Sequence, residues 1–420
     1  MSEKLYLKQL FKSSVRRGTG EAYLLAKKYP DIDFSGDIIK ACIKNFAYDG
    51  QCESSRAPYL FDIILISDKK EKIRSAILNA LATEQNDTWT LTQLFDLAKM
   101  FALEGDTEAR QAIYDRFYKN PINGSEWAGY SEIIDLDGLD GLLFIADRIG
   151  SEIKTNPDEW PDLSAIYYFK KEYPEIEVMQ ALTQAGLTNP HIGRYLEHIK
   201  LAEEESPPIT QRPVYQNIVD EVLLSNRRFL KNNLSSSETD LLARRLLTEK
   251  NKENRQKLLA VFDRIKFPLD SEFILNIANR TVRADKRTVD LAVSALRFLR
   301  SDKIRRFALE RAIAVNHPDD FLRILKSNYK KGDEKLLVDF AIRAKNEYAV
   351  ENLAISYIDI YKSNKTPECR RPLEIIYDKL TCAIHREDII KLLIENGVLC
   401  DKIKQEIPFD CDENTRLLAF

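Results

Sequence analysis

Cysteine and histidine are scarce in this chain of 420 residues, and that scarcity excludes several chemistries. The six cysteines, Cys42, Cys52, Cys369, Cys382, Cys400 and Cys411, include no C-x-x-C pair. Neither a zinc site nor a disulfide framework is expected, and the thiols read as reduced. The four histidines, His191, His198, His317 and His385, include no H-E-x-x-H; His191 and His198 can share a helix face but have no third ligand in register. No metal and no cofactor is therefore assigned. Long apolar runs are also missing: none approaches the roughly 18 residues of a membrane-spanning helix. Residues 1–21, MSEKLYLKQLFKSSVRRGTGE, are interrupted by charge and lack a small-residue cleavage site, so the expectation is a cytoplasmic protein away from membranes.

Recognisable catalytic patterns are absent too. Arg16-Arg17-Gly18-Thr19-Gly20 lacks the Gly-Lys-Ser/Thr of a Walker loop and follows no strand. It reads as an interhelical turn flanked by solvated arginines, with a phosphate cradle as the weaker alternative. Asp135, Asp137 and Asp140 fail the EF-hand spacing, because Asp140 and Ala146 stand where glycine and glutamate are required. Asp140 reads as a helix cap and the other two as loop residues. No Ser-His-Asp, Cys-His or paired-carboxylate arrangement can be picked out, so no catalytic residue is assigned and the reading leans away from an enzyme.

What the chain has is helical periodicity, on 44% hydrophobic and 31% charged residues, enough to bury a large core. In DKRTVDLAVSALRFL, Val289, Ala292, Val293, Leu296 and Leu299 recur at three- and four-residue steps, predicting one helix. Ser301 and Asp302 can cap a second, KIRRFALERAIAV, apolar on two sides. A helix covered from two directions suits a row of stacked hairpins, none of which can bury its faces alone. Similar hairpins recur along the chain, and IILI within APYLFDIILIS reads as helix because no alternating partner strand lies nearby.

Gly105, Ala109, Ala112, Tyr114 and Pro121 resemble one tetratricopeptide unit. The later hairpins resemble HEAT-like and armadillo-like repeats. Asp285 with Val289, Ala292, Ala295 and Leu296, and Asp302 with Arg305, Ala308 and Ala312, follow the Asp, Val-Arg, Ala-x-x-Ala-Leu pattern of those repeats' second helices. The resemblance implies an all-α fold, an alpha-alpha superhelix or HEAT-like solenoid of stacked helical hairpins, used for binding. At about 40 residues per hairpin the chain makes roughly ten units. The expected organisation is an acidic repeat segment over 1–201, a linker or break over 202–213 (AEEESPPITQRP), and a HEAT-like segment over 214–420 whose part 214–330 is basic.

Charge is the one feature that points to a partner. Residues 1–210 hold about 24 Lys and Arg against 34 Asp and Glu, 211–330 about 25 against 15, and 331–420 about 14 against 17, or roughly −10, +10 and −3. Arg283, Arg287, Arg297, Arg300, Arg305 and Arg306, together with Arg280 and Arg311, are the candidate anion- or nucleic-acid-binding residues, since inner helices of a solenoid can align cations along one surface. The bland alternative is pairing within a helix, Lys286 with Asp290 and Arg306 with Glu310. Trp89, Trp127, Trp160 and Tyr167-Tyr168 read as core. The leading expectation is a non-enzymatic scaffold binding a protein or peptide along a concave surface; nucleic acid held by residues 211–330 is the alternative. Some HEAT-like proteins are DNA glycosylases acting on alkylated bases, a third reading for which no catalytic acid is matched here.

Overall fold

The computed structural model describes residues 2–84, 87–119, 122–123, 126–155, 163–204, 215–224, 234–280 and 285–419. The fold is all-α. The only strand pairing among the described residues is a two-residue antiparallel contact, Ile122–Asn123 with Glu126–Trp127. No described helix is long and apolar enough to cross a membrane. Two compact units divide the chain: unit 1 holds residues 1–210, 381–383 and 404–420, and unit 2 holds 211–380 and 384–403.

Unit 1 begins with α1 (Glu3–Arg17), α2 (Glu21–Lys28), α3 (Ser35–Cys42), α4 (Ala57–Leu65), α5 (Lys70–Thr83) and α6 (Thr88–Leu103). It continues with α7 (Thr107–Lys119), α8 (Tyr130–Thr155), α9 (Ser164–Glu172), α10 (Val178–Gly186) and α11 (Pro190–Glu204). Packing is between near neighbours in sequence: α1 lies on α2 and α3, α3 on α4 and α5, α5 on α6 and α7, and α8 on α7, α9 and α11. Phe11 stacks on Phe34 at 4.2 Å between ring centres and Phe61 meets Phe101 edge-on at 5.0 Å, so aromatic contacts join successive pairs. In α4, Tyr59, Leu60, Phe61, Ile63 and Ile64 are all buried. A segment apolar around most of its circumference is a helix enclosed on several sides, which is why IILI is not a strand.

The glycines of Gly18-Thr19-Gly20 have a packing reason, and Arg17 beside them is buried against Glu21 rather than solvated. Gly18 ends α1 at φ 76°, and a Cβ there would fall 2.3 Å from the Cys411 sulfur. A Cβ on Gly20 would fall 2.0 Å from the Glu406 carbonyl oxygen. The Cys411 amide donates to the Gly18 carbonyl at 2.8 Å, and Tyr23 stacks on Phe409 at 4.4 Å. Glycine is needed because the Cys411 side chain, at Gly18, and the Glu406 backbone, at Gly20, occupy the space a side chain would take.

Unit 2 contains α12 (Ile218–Leu224), α13 (Ser236–Thr248), α14 (Lys252–Phe262), α15 (Ser271–Ala278), α16 (Lys286–Ala295) and α17 (Asp302–Ala314). After these come α18 (Asp319–Leu322), α19 (Leu325–Asn328), α20 (Glu334–Arg343), α21 (Glu347–Ser363), α22 (Arg370–Tyr377) and α23 (Ala383–Glu395), the last counted here from Ile384. The local start signals are those the sequence carries. Ser235 and Glu238 form a capping box on α13, Ser301 accepts from the Ile304 amide at 3.1 Å, and Asn346 caps α21. Leu242, Leu246, Leu258, Phe262, Ile274, Leu296 and Ile304 share one core.

Three helical stretches end or change within their apolar runs. SGDIIKACIKNFAY is helical only to Cys42, and DKRTVDLAVSALRFL tightens into a 3-10 turn at Leu296–Phe298. CRRPLEIIYDKLTCAI is not continuous: α22 stops at Tyr377 and α23 starts at Ala383. There the Lys379 ammonium donates to the carbonyls of Ala341, Ile342 and Ala344 at 2.7, 3.0 and 2.8 Å, closing the end of α20. Of the expected linker, residues 202–204 belong to α11 and 205–213 lie outside the described residues.

Successive pairs in unit 2 are joined by a recurring asparagine. Asn328 donates to its own Ile324 carbonyl at 3.0 Å and to the Leu299 carbonyl at 2.8 Å, while its oxygen accepts from the Ser301 amide at 3.1 Å. Asn364 donates to Ile360 and to Lys326 of the pair before it, and Asn396 donates to Leu392 and accepts from the Thr366 amide. Each carboxamide satisfies one carbonyl of its own last turn and one backbone group of the previous pair. Asn328→Ala, which leaves three backbone groups at a buried position unmatched, is expected to lower the unfolding free energy by about 2–3 kcal/mol in urea titration. Arg287→Ala on the exposed face of α16 should change it by less than about 0.5 kcal/mol.

Candidate functional site

The arginines singled out from sequence separate into two groups. Arg297 is buried at 9% exposure, ion-pairs with Asp263, and donates to the Ser294 and Asp263 carbonyls at 2.9 Å each. Burial pushes its pKa down. Arg305 makes a two-point pair with Asp333 at 2.5 and 2.7 Å and donates to the Asn328 carbonyl at 2.8 Å. Its hydrogen bond to Asp333 raises its pKa. Both guanidinium groups tie one helix pair to another and are not available to a ligand. Arg287, Arg300 and Arg306 are exposed and have no ion-pair partner among the described residues, as is Arg280; Arg311 reaches Asn279 at 3.5 Å. Arg283 lies outside the described residues. The intrahelical pairs Lys286–Asp290 and Arg306–Glu310 are not closed to ion-pair distance, whereas Arg297 and Arg305 pair with Asp263 and Asp333 of other helix pairs.

Around Arg300 the structure places two cations that the sequence reading did not single out. An open groove of about 550 Å³ is lined by Lys266 and Ser271 from the turn into α15, by Phe298 and Arg300 before α17, by Lys326 and Ser327 in α19, and by Ser363 and Asn364 at the end of α21. All of these are turn or helix-end positions of unit 2. No carboxylate is among the lining residues, and Lys266, Arg300 and Lys326 have no acidic partner among the described residues. The walls are held from beneath. Ser327 donates to the Arg297 carbonyl at 2.6 Å, the Asn364 amide to the Lys326 carbonyl at 2.9 Å, and the Phe298 ring lies 5.2 Å from the Lys326 ammonium and 5.7 Å from the Arg297 guanidinium. Three like charges lining one groove, one of them over the Phe298 ring, with serines among the lining residues, form a concavity suited to phosphate or carboxylate groups. The signal that points to Lys266 and Lys326 is a basic residue recurring at the turns of successive pairs.

A second polar cluster occupies unit 1. Glu132 is buried at 4% exposure near Lys99, which lies 2.7 Å from Asp135 and 3.8 Å from Asp96. The Tyr168 hydroxyl donates to Asp135 at 2.7 Å and Ser55 to Asp96 at 2.6 Å. Burial, and then the Asp96 charge, push Glu132 up to about 8. Asp137 pairs with Arg110 and with the Tyr114 hydroxyl. Asp135 and Asp137 are thus ion-paired residues of α8, which is kinked at Gly138, rather than loop residues. His191 faces Asp147 at 3.2 Å. Trp89 is 37% exposed and is not core; Tyr167 is 58% exposed, and the side chains of Trp127 and Trp160 lie outside the described residues.

The sign for Glu132 follows from linkage. Its folded pKa exceeds the ordinary carboxylate value, so the stability it allows is complete below that value and declines as pH rises toward 8. Glu132→Gln should match the wild type in unfolding midpoint near pH 5 and exceed it at pH 8.5, read by thermal melts across that range. No known protein family, curated protein or solved structure matches this chain.

Proposed function

We propose that the chain is a non-enzymatic helical-repeat protein, an alpha-alpha superhelix of HEAT-like stacked hairpins, that holds a macromolecular partner in the cytoplasm. The stacking is supported by packing between sequence neighbours and by cross-pair bonds separated by 27 to 38 residues, from Arg110–Asp137 to Asn364–Lys326. A reducing compartment is supported by six free cysteines. The binding reading is carried by the groove of Lys266, Arg300 and Lys326, three cations without acidic partners among the described residues, drawn from successive helix pairs. A protein segment with clustered acidic side chains would complement it.

Nucleic acid is the second reading, favoured by the roughly +10 balance of residues 211–330 and by the absence of lining carboxylates. Fluorescence anisotropy with labelled polyglutamate, single-stranded RNA and duplex DNA, over a range of salt, separates the two. A nucleic-acid partner held by these three side chains should give log K falling against log salt with a slope of about −2 to −3, and Lys266→Glu/Arg300→Glu/Lys326→Glu should remove it. Polyglutamate binding lost in the same triple variant, with no nucleic-acid binding, supports the protein-binding reading. Polyanion binding unaffected by the triple variant, or none at all, overturns the role given to the groove.

A further inference from the structure

Unit 1 carries a second concave site whose chemistry is opposite to that of the basic groove. It is an open pocket of about 620 Å³ between the loop after α3 and the start of α6, lined by Asn45, Tyr48, Asp49, Gly50, Asp87 and Trp89, with Ala47. Among the described residues its lining charges are two carboxylates and no cation, and its two large rings are both solvent-accessible, Tyr48 at 42% and Trp89 at 37% exposure. Exposed tryptophan beside unneutralised aspartate is a poor arrangement for stability alone, since the ring stays in water and like charges face one space.

The pocket is also built in place. A Cβ on Gly50 would fall 2.5 Å from the Trp89 ring, so the glycine backbone lies directly against the indole and sets its position. The Asn45 amide group donates to the Trp89 carbonyl at 3.2 Å, and the Asn45 backbone N–H to the Thr90 hydroxyl at 3.0 Å, tying the loop to the first turn of α6. Asp87 accepts from the Thr90 hydroxyl at 2.5 Å through one oxygen. Asp49 accepts from the Gln51 and Cys52 amides at 3.0 and 3.3 Å through one oxygen. The Cys52 thiol also hydrogen-bonds to Asp49, so both carboxylates are oriented by residues of their own turns, and each keeps lone pairs for further donors.

We propose that this pocket binds a guanidinium group, stacked on Trp89 and hydrogen-bonded to Asp49 and Asp87. The choice among cations follows from what the walls require. A planar guanidinium can lie over an indole face while its N–H groups donate sideways to carboxylates. A quaternary ammonium would satisfy the rings but offer no N–H to the two aspartates, and a lysine ammonium offers donors without a plane to stack. The acidic balance of residues 1–210 draws a cation toward the site at longer range.

The test uses the full chain labelled with ¹⁵N-tryptophan, the Trp89 indole resonance being assigned by Trp89→Phe. Nα-acetyl-arginine amide, an Ala-Arg-Ala peptide, and the same peptides carrying lysine or trimethyl-lysine are titrated. Arginine compounds are expected to shift the Trp89 resonance saturably and more tightly than either lysine form. Asp49→Asn/Asp87→Asn should weaken them at least about tenfold at an unchanged unfolding midpoint. Gly50→Ala, which displaces the ring but leaves both carboxylates, should weaken them as well. A peptide binding clearly tighter than the free amide identifies the source as a partner's arginine; equal affinities identify a free guanidino compound. No saturable shift, a shift unchanged in the double variant, or tighter binding of trimethyl-lysine overturns the proposal.

Discussion

Helix ends leave carbonyl and amide groups that must find partners, and in unit 2 the way this requirement is met governs the rest of the packing. Asn328, Asn364 and Asn396 each cap a carbonyl of their own last turn and reach a backbone group of the pair before. An apolar face alone would let neighbouring pairs slide, because hydrophobic contact is non-directional. A carboxamide with two fixed backbone partners sets the register. Arg297–Asp263, Arg305–Asp333 and Arg323–Asp359 repeat the same solution with charge. Unit 1 shows the device in other residues: the buried Gln93 amide donates to the Ala41 and Cys42 carbonyls at 2.9 and 2.8 Å, and Arg74 binds Asp106, whose carboxyl it holds at about 2.

This accounts for the uneven behaviour of the basic segment. An excess of arginine between residues 211 and 330 is a fact of composition, and a polyanion surface is one use for it. Part of that excess is spent internally, since Arg297 and Arg305 are locked to aspartates of other helix pairs. What remains facing solvent at the turns, Arg300 with Lys266 and Lys326, gathers in one groove because turns of consecutive pairs emerge on the same edge. The acidic half shows the converse, with Asp135 and Asp137 held by Lys99 and Arg110 while Asp49 and Asp87 line a pocket with no cation among its described lining residues.

The helical class, the Ser301 cap and the turn character of Gly18-Thr19-Gly20 were determined by the sequence itself, because each rests on residues within about four positions of one another, where backbone geometry fixes the neighbours. The resemblance to HEAT-like repeats added the expectation of stacked pairs on the same local pattern. Only the tertiary structure decided which arginines are structural, that Glu132 is buried, that Trp89 is exposed, and that the Gly18 and Gly20 backbones lie against residues 406–411. The physical reason is range. The ion pairs that join different helices here, such as Arg297–Asp263 and Arg305–Asp333, and the approach of Gly18 and Gly20 to residues 406–411 span some thirty to several hundred positions, and no periodicity along the chain specifies which distant partner the packing will bring within reach.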